Sequence, residues 1–263
     1  MILTVDQLNF SYGSRAALRD ISFALAAGEL KAVLGPNGSG KTTLFRCVLG
    51  TLKDYTGTVL ADGADMRRLS QRERAARIAY IPQIHRPTFG YSVLDTVLMG
   101  VARSVSVFAQ PDSAHEDIAM DALTRVGAEK LKDRNFAHLS GGEQQLVQIA
   151  RAIAQRSDIL IMDEPTSALD YGNRIRILEL VRKLANSGYG ILLSTHNPQD
   201  ALTFADGMLA LDGGRIAAQG SPRELIDEAL IRRLYGVETV FISTDTGQVV
   251  APGRMTGTEG KSV

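Results

Sequence analysis

The feature that most constrains this chain is the stretch 35–42, which reads GPNGSGKT and follows the pattern G-x-x-x-x-G-K-[ST]. A buried-strand pattern at 30–34, apolar except for Lys31, precedes it, and apolar side chains then recur at helical spacing from 41 to 49. Glycines in such a turn let successive backbone N–H groups converge on a phosphate, and the following helix N-terminus adds a favourable dipole. The sequence therefore predicts a strand, a phosphate-binding loop and a helix, with Lys41 holding the β- and γ-phosphates of a nucleotide and Thr42 ligating Mg²⁺.

Two carboxylates follow a second buried strand pattern. Residues 158–162 form a buried-strand pattern typical of a parallel sheet, with the apolar run at 159–162, and Asp163 and Glu164 stand at its carboxyl end, where ligands of parallel sheets collect. Adjacent side chains point to different sides of a strand end. We therefore expect Asp163 to meet Mg²⁺, directly or through water, and Glu164 to polarise the water that attacks the γ-phosphate. Without the phosphate loop, such an acidic pair would be a solvated strand terminus.

The other patterns indicate an α/β chain with a mixed or largely parallel sheet. Residues from about 86 to 155 keep helical spacing and predict an inserted helical subdomain. Strand and helix then alternate, which favours parallel strands joined by crossover helices. An N-terminal antiparallel β subdomain is predicted by short β-rich runs at 3–10, 21–25 and 58–60.

Composition excludes several classes of function. Lys and Arg together number 29, as do Asp and Glu, and the pI is about 6.9, so no global basic field exists to hold nucleic acid. The single cysteine, Cys47, cannot form an intramolecular disulfide, which fits a reducing cytoplasm. The longest apolar runs are far below the roughly 20 residues of a membrane helix, and the N-terminus does not resemble a secretory signal.

Residues 139–144, LSGGEQ, stand immediately before a predicted helix. Together with the phosphate loop and the acidic pair, they make the chain from about residue 2 to 235 resemble the nucleotide-binding subunits of ABC transporters, whose signature sequence they match. Glu143 stands where that family more commonly has Gln. A serine N-cap followed by two flexible glycines is the alternative interpretation.

The resemblance implies a P-loop NTPase core, the ABC ATPase, over residues 1–240, with the helical subdomain at about 86–155 inserted in it. Residues 241–263 would then form a C-terminal extension. From about 252 onward the sequence carries no periodicity, and we expect this tail to be disordered.

In that family the signature caps the γ-phosphate of ATP held by a second subunit. The resemblance therefore implies a head-to-tail dimer of two copies that share two ATP sites, with ATP and Mg²⁺ as cofactors. The hydroxyl of Ser140 and backbone amides at a helix N-terminus fit such an anion cradle. The residues expected at the nucleotide are Tyr12, Gly35, Pro36, Asn37, Gly38, Ser39, Gly40, Lys41, Thr42, Thr43, Ser140, Gly141, Gly142, Glu143 and Asp170.

Four further residues match single positions of the family. Tyr12 matches the aromatic residue that stacks on adenine, and Gln83 the glutamine that reaches Mg²⁺ or the attacking water. His196 matches the switch histidine that hydrogen-bonds the γ-phosphate, and Asp170 the loop that links the two active sites. Each residue has an alternative interpretation without a role in catalysis. These are a packing residue for Tyr12, a polar turn residue for Gln83, a structural histidine for His196 and a helix N-cap for Asp170. The implied catalytic residues are Glu164, His196, Gln83 and Lys41, and the implied metal contacts are Thr42, Gln83 and Asp163.

Four shorter segments, at 87–89, 92–100, 170–174 and 194–198, resemble one branch of the family. This branch imports iron chelates, haem and cobalamin, and the related molybdate systems belong to it. In that branch a Met-Gly pair is usually followed by an arginine and a nearby proline, whereas here Val101-Ala102-Arg103 follows Met99-Gly100.

The resemblance also implies partners and a location. Two multi-span membrane permease subunits would be contacted by the segment from Gln83 to about 105, and a substrate-binding protein would act indirectly. The chain would then lie peripherally on the cytoplasmic face of the inner membrane. Rival functions are a soluble ABC ATPase outside transport and a kinase that uses the same loop. The single phosphate loop without heptads argues against the first, and the signature argues against the second.

Overall fold

The computed structural model describes residues 1–83, 90–101, 111–245 and 247–253. The strands are β1 (Leu3–Tyr12), β2 (Arg15–Leu25), β3 (Leu30–Leu34), β4 (Thr56–Ala61), β5 (Ala64–Asp65), β6 (Ile78–Ile81), β7 (Ile159–Met162), β8 (Gly190–Thr195), β9 (Gly207–Asp212), β10 (Arg215–Gly220), β11 (Thr239–Thr244) and β12 (Gly247–Pro252). The α-helices are α1 (Lys41–Val48), α2 (Gln71–Arg77), α3 (Val93–Leu98), α4 (Ser113–Arg125), α5 (Gly141–Ala154), α6 (Tyr171–Asn186), α7 (Pro198–Phe204), α8 (Pro222–Leu225) and α9 (Glu228–Tyr235). No helix of these segments is long and apolar enough to cross a membrane.

A six-stranded sheet in the order β10-β9-β3-β8-β7-β6 forms the centre of the fold. All its pairings are parallel except that of β10 with β9. Every residue of β3 and β7 is buried, as expected for strands covered on both faces. Because the strands run in parallel, the segments that follow β3, β6, β7 and β8 meet at one edge of the sheet. The predicted α/β class with a mixed sheet is confirmed.

The predicted N-terminal antiparallel sheet is also present, in the order β2-β1-β4-β5. Helix α1 packs between this sheet and the central one, because its buried side chains belong to a core that draws on both. The buried side chains of α1 include Leu44, Phe45, Cys47 and Val48. This packing fixes the start of α1, and hence the loop that precedes it.

Helices α3, α4 and α5 pack together on the opposite face of the central sheet. Gly100 follows α3, and a Cβ there would lie 2.2 Å from the carbonyl oxygen of Arg151, so only glycine allows this close approach to α5. Within the segment predicted as helical, from about 86 to 155, the described residues form α3, α4 and α5, joined by turns and short 3-10 helices. Its stretches 86–89 and 102–110 lie outside the described residues, and the domain boundaries stay predictions.

The C-terminal extension contains a hairpin that the sequence analysis did not predict. Strands β11 and β12 pair antiparallel from Thr239 to Pro252. The side-chain amide of Gln199 on α7 donates to the carbonyl of Gln248 and accepts from the N–H of Val250, at 3.2 and 3.0 Å. The expected disordered tail falls largely on 254–263, which lies outside the described residues.

Candidate nucleotide-binding site

The phosphate loop lies where the sequence predicts it, between β3 and α1. Gly38 and Gly40 have φ of 81° and 110°, backbone conformations that favour glycine. A Cβ on Gly35 would stand 2.5 Å from the carbonyl oxygen of Leu211. The loop lines a cavity of about 680 Å³. Within the described part of the chain, the buried hydroxyl of Ser39 has no hydrogen-bond partner, which leaves a polar group in the loop available to a ligand.

Lys41 is the first residue of α1 and is only 6% exposed. Its ammonium donates to the carbonyl oxygens of Gly35 and Pro36, at 2.7 and 3.1 Å. It also lies 3.3 Å from Oε1 of Glu164. The loop's own carbonyls and the carboxylate at the end of β7 therefore contact the cation to which the sequence analysis assigns phosphate binding.

Thr42 and Asp163 meet as expected for a magnesium site. The hydroxyl of Thr42 donates to Asp163 Oδ2 at 2.8 Å, and the hydroxyl of Ser194 donates to Oδ1 at 2.6 Å. Tyr80 OH reaches Oδ2 at 3.5 Å, and burial, followed by the charge of Asp163, raises the pKa of this phenol to about 12. No described group of three or more His, Cys, Asp or Glu could hold a metal. A hydroxyl beside one carboxylate suits Mg²⁺, which takes its other ligands from phosphates and water.

Glu164 is the centre of a second group of contacts. Its carboxylate is 8% exposed, and Oε2 accepts from Nε2 of Gln83 at 3.1 Å and lies 3.1 Å from Nδ1 of His196. The backbone at Glu164 has φ of 45°, a left-handed conformation that is rare for a residue with a side chain. Its N–H donates to the hydroxyl of Ser194 at 2.8 Å, which helps to hold this conformation. The predicted catalytic residues Lys41, Gln83, Glu164 and His196 therefore converge.

Tyr12 lines the same cavity as the phosphate loop. Its ring packs edge-on against Phe10, with centroids 4.8 Å apart, and 46% of the residue is exposed. Packing at a strand edge and an accessible aromatic surface are thus both present at this position.

Sequence reasoning missed part of this cavity. Arg15, Ala16 and Ala17 line it from β2, and Gly213 and Gly214 line it from the turn between β9 and β10. Two consecutive glycines between strand patterns do predict a hairpin turn. A Cβ on Gly214 would lie 2.3 Å from the carbonyl oxygen of Ala17, so glycine lets this turn press against β2 beside the loop.

The signature forms the N-terminus of α5. The hydroxyl of Ser140 accepts from the N–H of Glu143 at 3.4 Å, and Glu143 Oε2 accepts from the N–H of Ser140 at 2.8 Å. The N–H of Ser140, and next its hydroxyl, which also donates to Oε2 at 2.8 Å, hold the pKa of Glu143 below its usual value. A Cβ on Gly142 would meet the side chain of Asn173 at 2.8 Å. The residues that line the phosphate-loop cavity of this chain do not include 140–143.

Asp170 caps α6, because its Oδ1 accepts from the N–H of Asn173 at 2.9 Å. This hydrogen bond, followed by that from the side chain of Asn173, lowers the pKa of Asp170. Like the signature, Asp170 is not among the residues that line the cavity of its own chain. The alternative interpretation of Asp170 as a helix cap is therefore correct. It is compatible with a second role in linking the two active sites of a dimer, which stays a prediction.

The segment expected to face a permease is described only in part. Gln83 and α3 are described, whereas 84–89 and 102–110, including the branch-specific residues at 87–89, lie outside the described residues. Two large apolar side chains on the described part are exposed by 45% each, those of Tyr91 and Met99.

Comparison with known proteins places these observations in a family. The sequence profile of the ABC transporter family matches residues 18–167. A probable iron chelatin transport ATP-binding protein of Helicobacter pylori is 35% identical over 252 residues, which cover 95% of this chain and 99% of that protein. The hemin import ATP-binding protein HmuV of Jannaschia sp. is 35% identical over 243 residues, covering 89% of this chain and 87% of that protein.

Solved structures agree with the sequence comparisons. A putative metal-chelate type ABC transporter in an inward-facing conformation superposes with a TM-score of 0.85 at 31% identity, covering 97% of this chain and 98% of that chain. A dimeric bacterial ABC transporter cassette superposes with a TM-score of 0.73 at 25% identity, covering 84% and 99%. With its phosphate loop, acidic pair and signature in the arrangement described above, the chain belongs to the ABC transporter family as an ATP-binding subunit.

Proposed function

We propose that this chain hydrolyses ATP to ADP and phosphate and thereby drives a membrane importer of iron chelates or haem. The observation that carries the catalytic part is the position of Glu164. Its buried carboxylate stands at the phosphate-loop cavity, with Lys41 on one oxygen and Gln83 and His196 on the other. A base held by three side chains beside a phosphate-binding loop is suited to activating water for phosphoryl transfer.

The residues around Asp163 fit Mg²⁺. Thr42 and Asp163 would hold the ion. Gln83, which donates to Glu164, would approach the ion when nucleotide is bound. Once bound, Mg²⁺ supplies positive charge that neutralises the phosphate oxygens. Ser194 and Tyr80 orient Asp163 by donating to its two oxygens, one each.

The chain's own residues then divide the reaction between them. When ATP enters, the β- and γ-phosphates replace Glu164 as the anionic partner of Lys41, and the carboxylate becomes free to act as a base. Glu164 accepts a proton from the attacking water as the water oxygen bonds to the γ-phosphorus and the bond to the β-phosphate oxygen breaks. Gln83 and His196 orient this water and the γ-phosphate. Tyr12 contributes by stacking on adenine.

A second copy of the chain completes each site in this proposal. Residues 140–143 and Asp170 lie outside the cavity of their own phosphate loop. Yet the N-terminus of α5, with Ser140 and two glycines, offers N–H groups and a dipole suited to an anion. A dimeric cassette superposes on this chain, which supports a pair of copies. The head-to-tail arrangement, in which each signature faces the partner's ATP, follows from the resemblance to the family.

The cargo and the membrane partners are inferred from relatives. Those at 35% identity are named for iron chelatin and hemin transport, and a structural neighbour belongs to a metal-chelate type transporter. We accordingly assign two permease subunits, a substrate-binding protein acting indirectly, and a peripheral position on the cytoplasmic face of the inner membrane. Import of cobalamin, molybdate or another metal or oxyanion, and a soluble ABC ATPase outside transport, are the competing functions.

A growth experiment tests the importer role. Deletion of the gene should impair growth when haem or a siderophore is the sole iron source, and a high supply of simple iron should restore it. A plasmid with the wild-type gene should complement the deletion, whereas one with Glu164→Gln should not. A strain that fails only under molybdenum or cobalamin limitation would overturn the iron assignment, and a strain with no transport defect at all would overturn the importer role.

A further inference from the structure

A partly buried ion pair joins the start of α6 to α7, which follows β8. Arg174 lies in the first turn of α6, and its guanidinium contacts Asp200 on α7 through both Nε and Nη2. The Nε distance is 3.1 Å, and both contacts reach Oδ1. Asp200 is only 5% exposed and the side chain of Arg174 25% exposed. A charged pair of this geometry holds two elements in one relative position more rigidly than a surface pair does.

The other oxygen of Asp200 connects to the segment that carries His196. Thr195, 4% exposed, donates its hydroxyl to Asp200 Oδ2 at 3.0 Å, and that hydroxyl accepts from the N–H of Asn197 at 3.0 Å. The residues on both sides of His196 are therefore fixed through one hydroxyl, which Asp200 orients. His196 itself is 54% exposed and lies 3.1 Å from Glu164.

The first turn of α6 also carries a residue that packs against the signature. Asp170 caps this helix. Asn173 packs so closely on Gly142 that a Cβ built on Gly142 would lie 2.8 Å from Cγ of Asn173. Arg174 follows Asn173 directly. One helical turn thus touches the signature, carries Asp170 and holds the ion pair that leads to His196.

We propose that Arg174 and Asp200 are positioning residues for His196. The pair holds the segment 195–197 at a fixed place relative to the first turn of α6, so that the imidazole meets Glu164 and the γ-phosphate in the geometry needed for hydrolysis. The inference rests on the proposed ATP hydrolysis. Positioning of this kind changes turnover more than affinity, because small displacements matter most in the transition state.

The test compares turnover with nucleotide affinity in Arg174→Gln and Asp200→Asn. Asp200→Asn keeps the size of the side chain, Arg174→Gln leaves a shorter polar one, and each change removes the charge-paired contact. We expect kcat for ATP hydrolysis to fall at least about tenfold in each variant, while the Kd for ATP without Mg²⁺ stays within about twofold of wild type. Arg174→Lys, which keeps the charge but not the two-point contact, should lose less turnover than Arg174→Gln.

A matched control comes from the same helix. Arg182 on α6 pairs with Asp206, beyond the end of α7, at 2.6 Å, so this pair links the same region at a distance from His196. Arg182→Gln should keep kcat within about twofold. Wild-type kcat in both Arg174→Gln and Asp200→Asn, an equal loss in Arg182→Gln, or a parallel loss of ATP affinity would overturn the positioning role. Absence of turnover in the wild-type chain itself would instead refute the proposed hydrolysis on which the inference rests.

Discussion

The ion pair between Lys41 and Glu164 predicts a stability effect that appears before any nucleotide is added. Both groups are buried, at 6% and 8% exposure, and their charged atoms lie 3.3 Å apart. In Lys41→Met the carboxylate of Glu164 keeps Gln83 and His196 as its side-chain partners among the residues that the structure describes. Breaking a buried pair costs about 3–5 kcal/mol, and the remaining partners reduce this, so we expect a loss of about 2–3 kcal/mol in the free energy of unfolding.

Urea unfolding of the nucleotide-free chain measures this loss in a double-mutant cycle. Glu164→Gln removes the unpaired charge, so adding it to Lys41→Met should restore about 2 kcal/mol. The exposed pair of Arg125 and Asp121, at 2.9 Å on α4, is the control and should show a coupling below about 0.5 kcal/mol. Additive effects of Lys41→Met and Glu164→Gln would refute the argument that the cation and the carboxylate stabilise each other.

Lys41→Met should also abolish ATP binding in an equilibrium titration.

Three further outcomes are expected. Thr42→Val removes the hydroxyl beside Asp163, so ATP binding without Mg²⁺ should persist while the dependence of hydrolysis on Mg²⁺ weakens; an unchanged Mg²⁺ titration would contradict the assignment. Tyr12→Ala should weaken ATP binding by about 1–2 kcal/mol, a rise in Kd of roughly 5- to 30-fold, and an unchanged Kd would leave Tyr12 as a packing residue only. Cys47 is fully buried and burial raises its pKa to about 12, so at pH 8 the thiol stays protonated and should react with a thiol reagent only after unfolding; rapid labelling of the folded chain would contradict this.

The parts of the site that the sequence could predict are those whose chemistry is local. The phosphate loop is a continuous segment between a buried strand and a helix, and its glycines and Lys41 follow from that context alone. Asp163 and Glu164 end an apolar strand, which places them at the edge where ligands collect. Ser140 before two glycines is readable as a helix N-terminus.

The contacts that the sequence could not predict depend on which strands are neighbours. Ser194 and Tyr80 both donate hydrogen bonds to Asp163, although they stand 31 and 83 residues from it in the sequence. Both contacts depend on the order of the strands in the central sheet. The turn at 213–214 joins the cavity because β9 lies beside β3, which no local pattern shows. The hairpin of β11 and β12 could not be predicted because its apolar residues, at 240–242 and 249–251, form short consecutive runs without strand alternation, and no residue of either strand is fully buried.

The central claim is that each ATP is held between two copies of the chain, and the oligomeric state of a variant that binds but does not hydrolyse ATP tests it most directly. Glu164→Gln keeps the shape of the side chain and removes its basicity, so ATP should persist and bridge two copies. In size-exclusion chromatography this variant should elute as a dimer with ATP in the absence of Mg²⁺ and as a monomer with ADP.

Adding Ser140→Arg to that variant places bulk in the proposed anion cradle and should abolish the dimer. The matched control is Ser70→Arg, because Ser70 caps α2 through the same reciprocal hydrogen bonds, with Glu73, that Ser140 makes with Glu143. We expect the ATP-dependent dimer to be lost with Ser140→Arg and kept with Ser70→Arg. A dimer that survives Ser140→Arg would show that the signature is only a helix cap and would contradict the shared site.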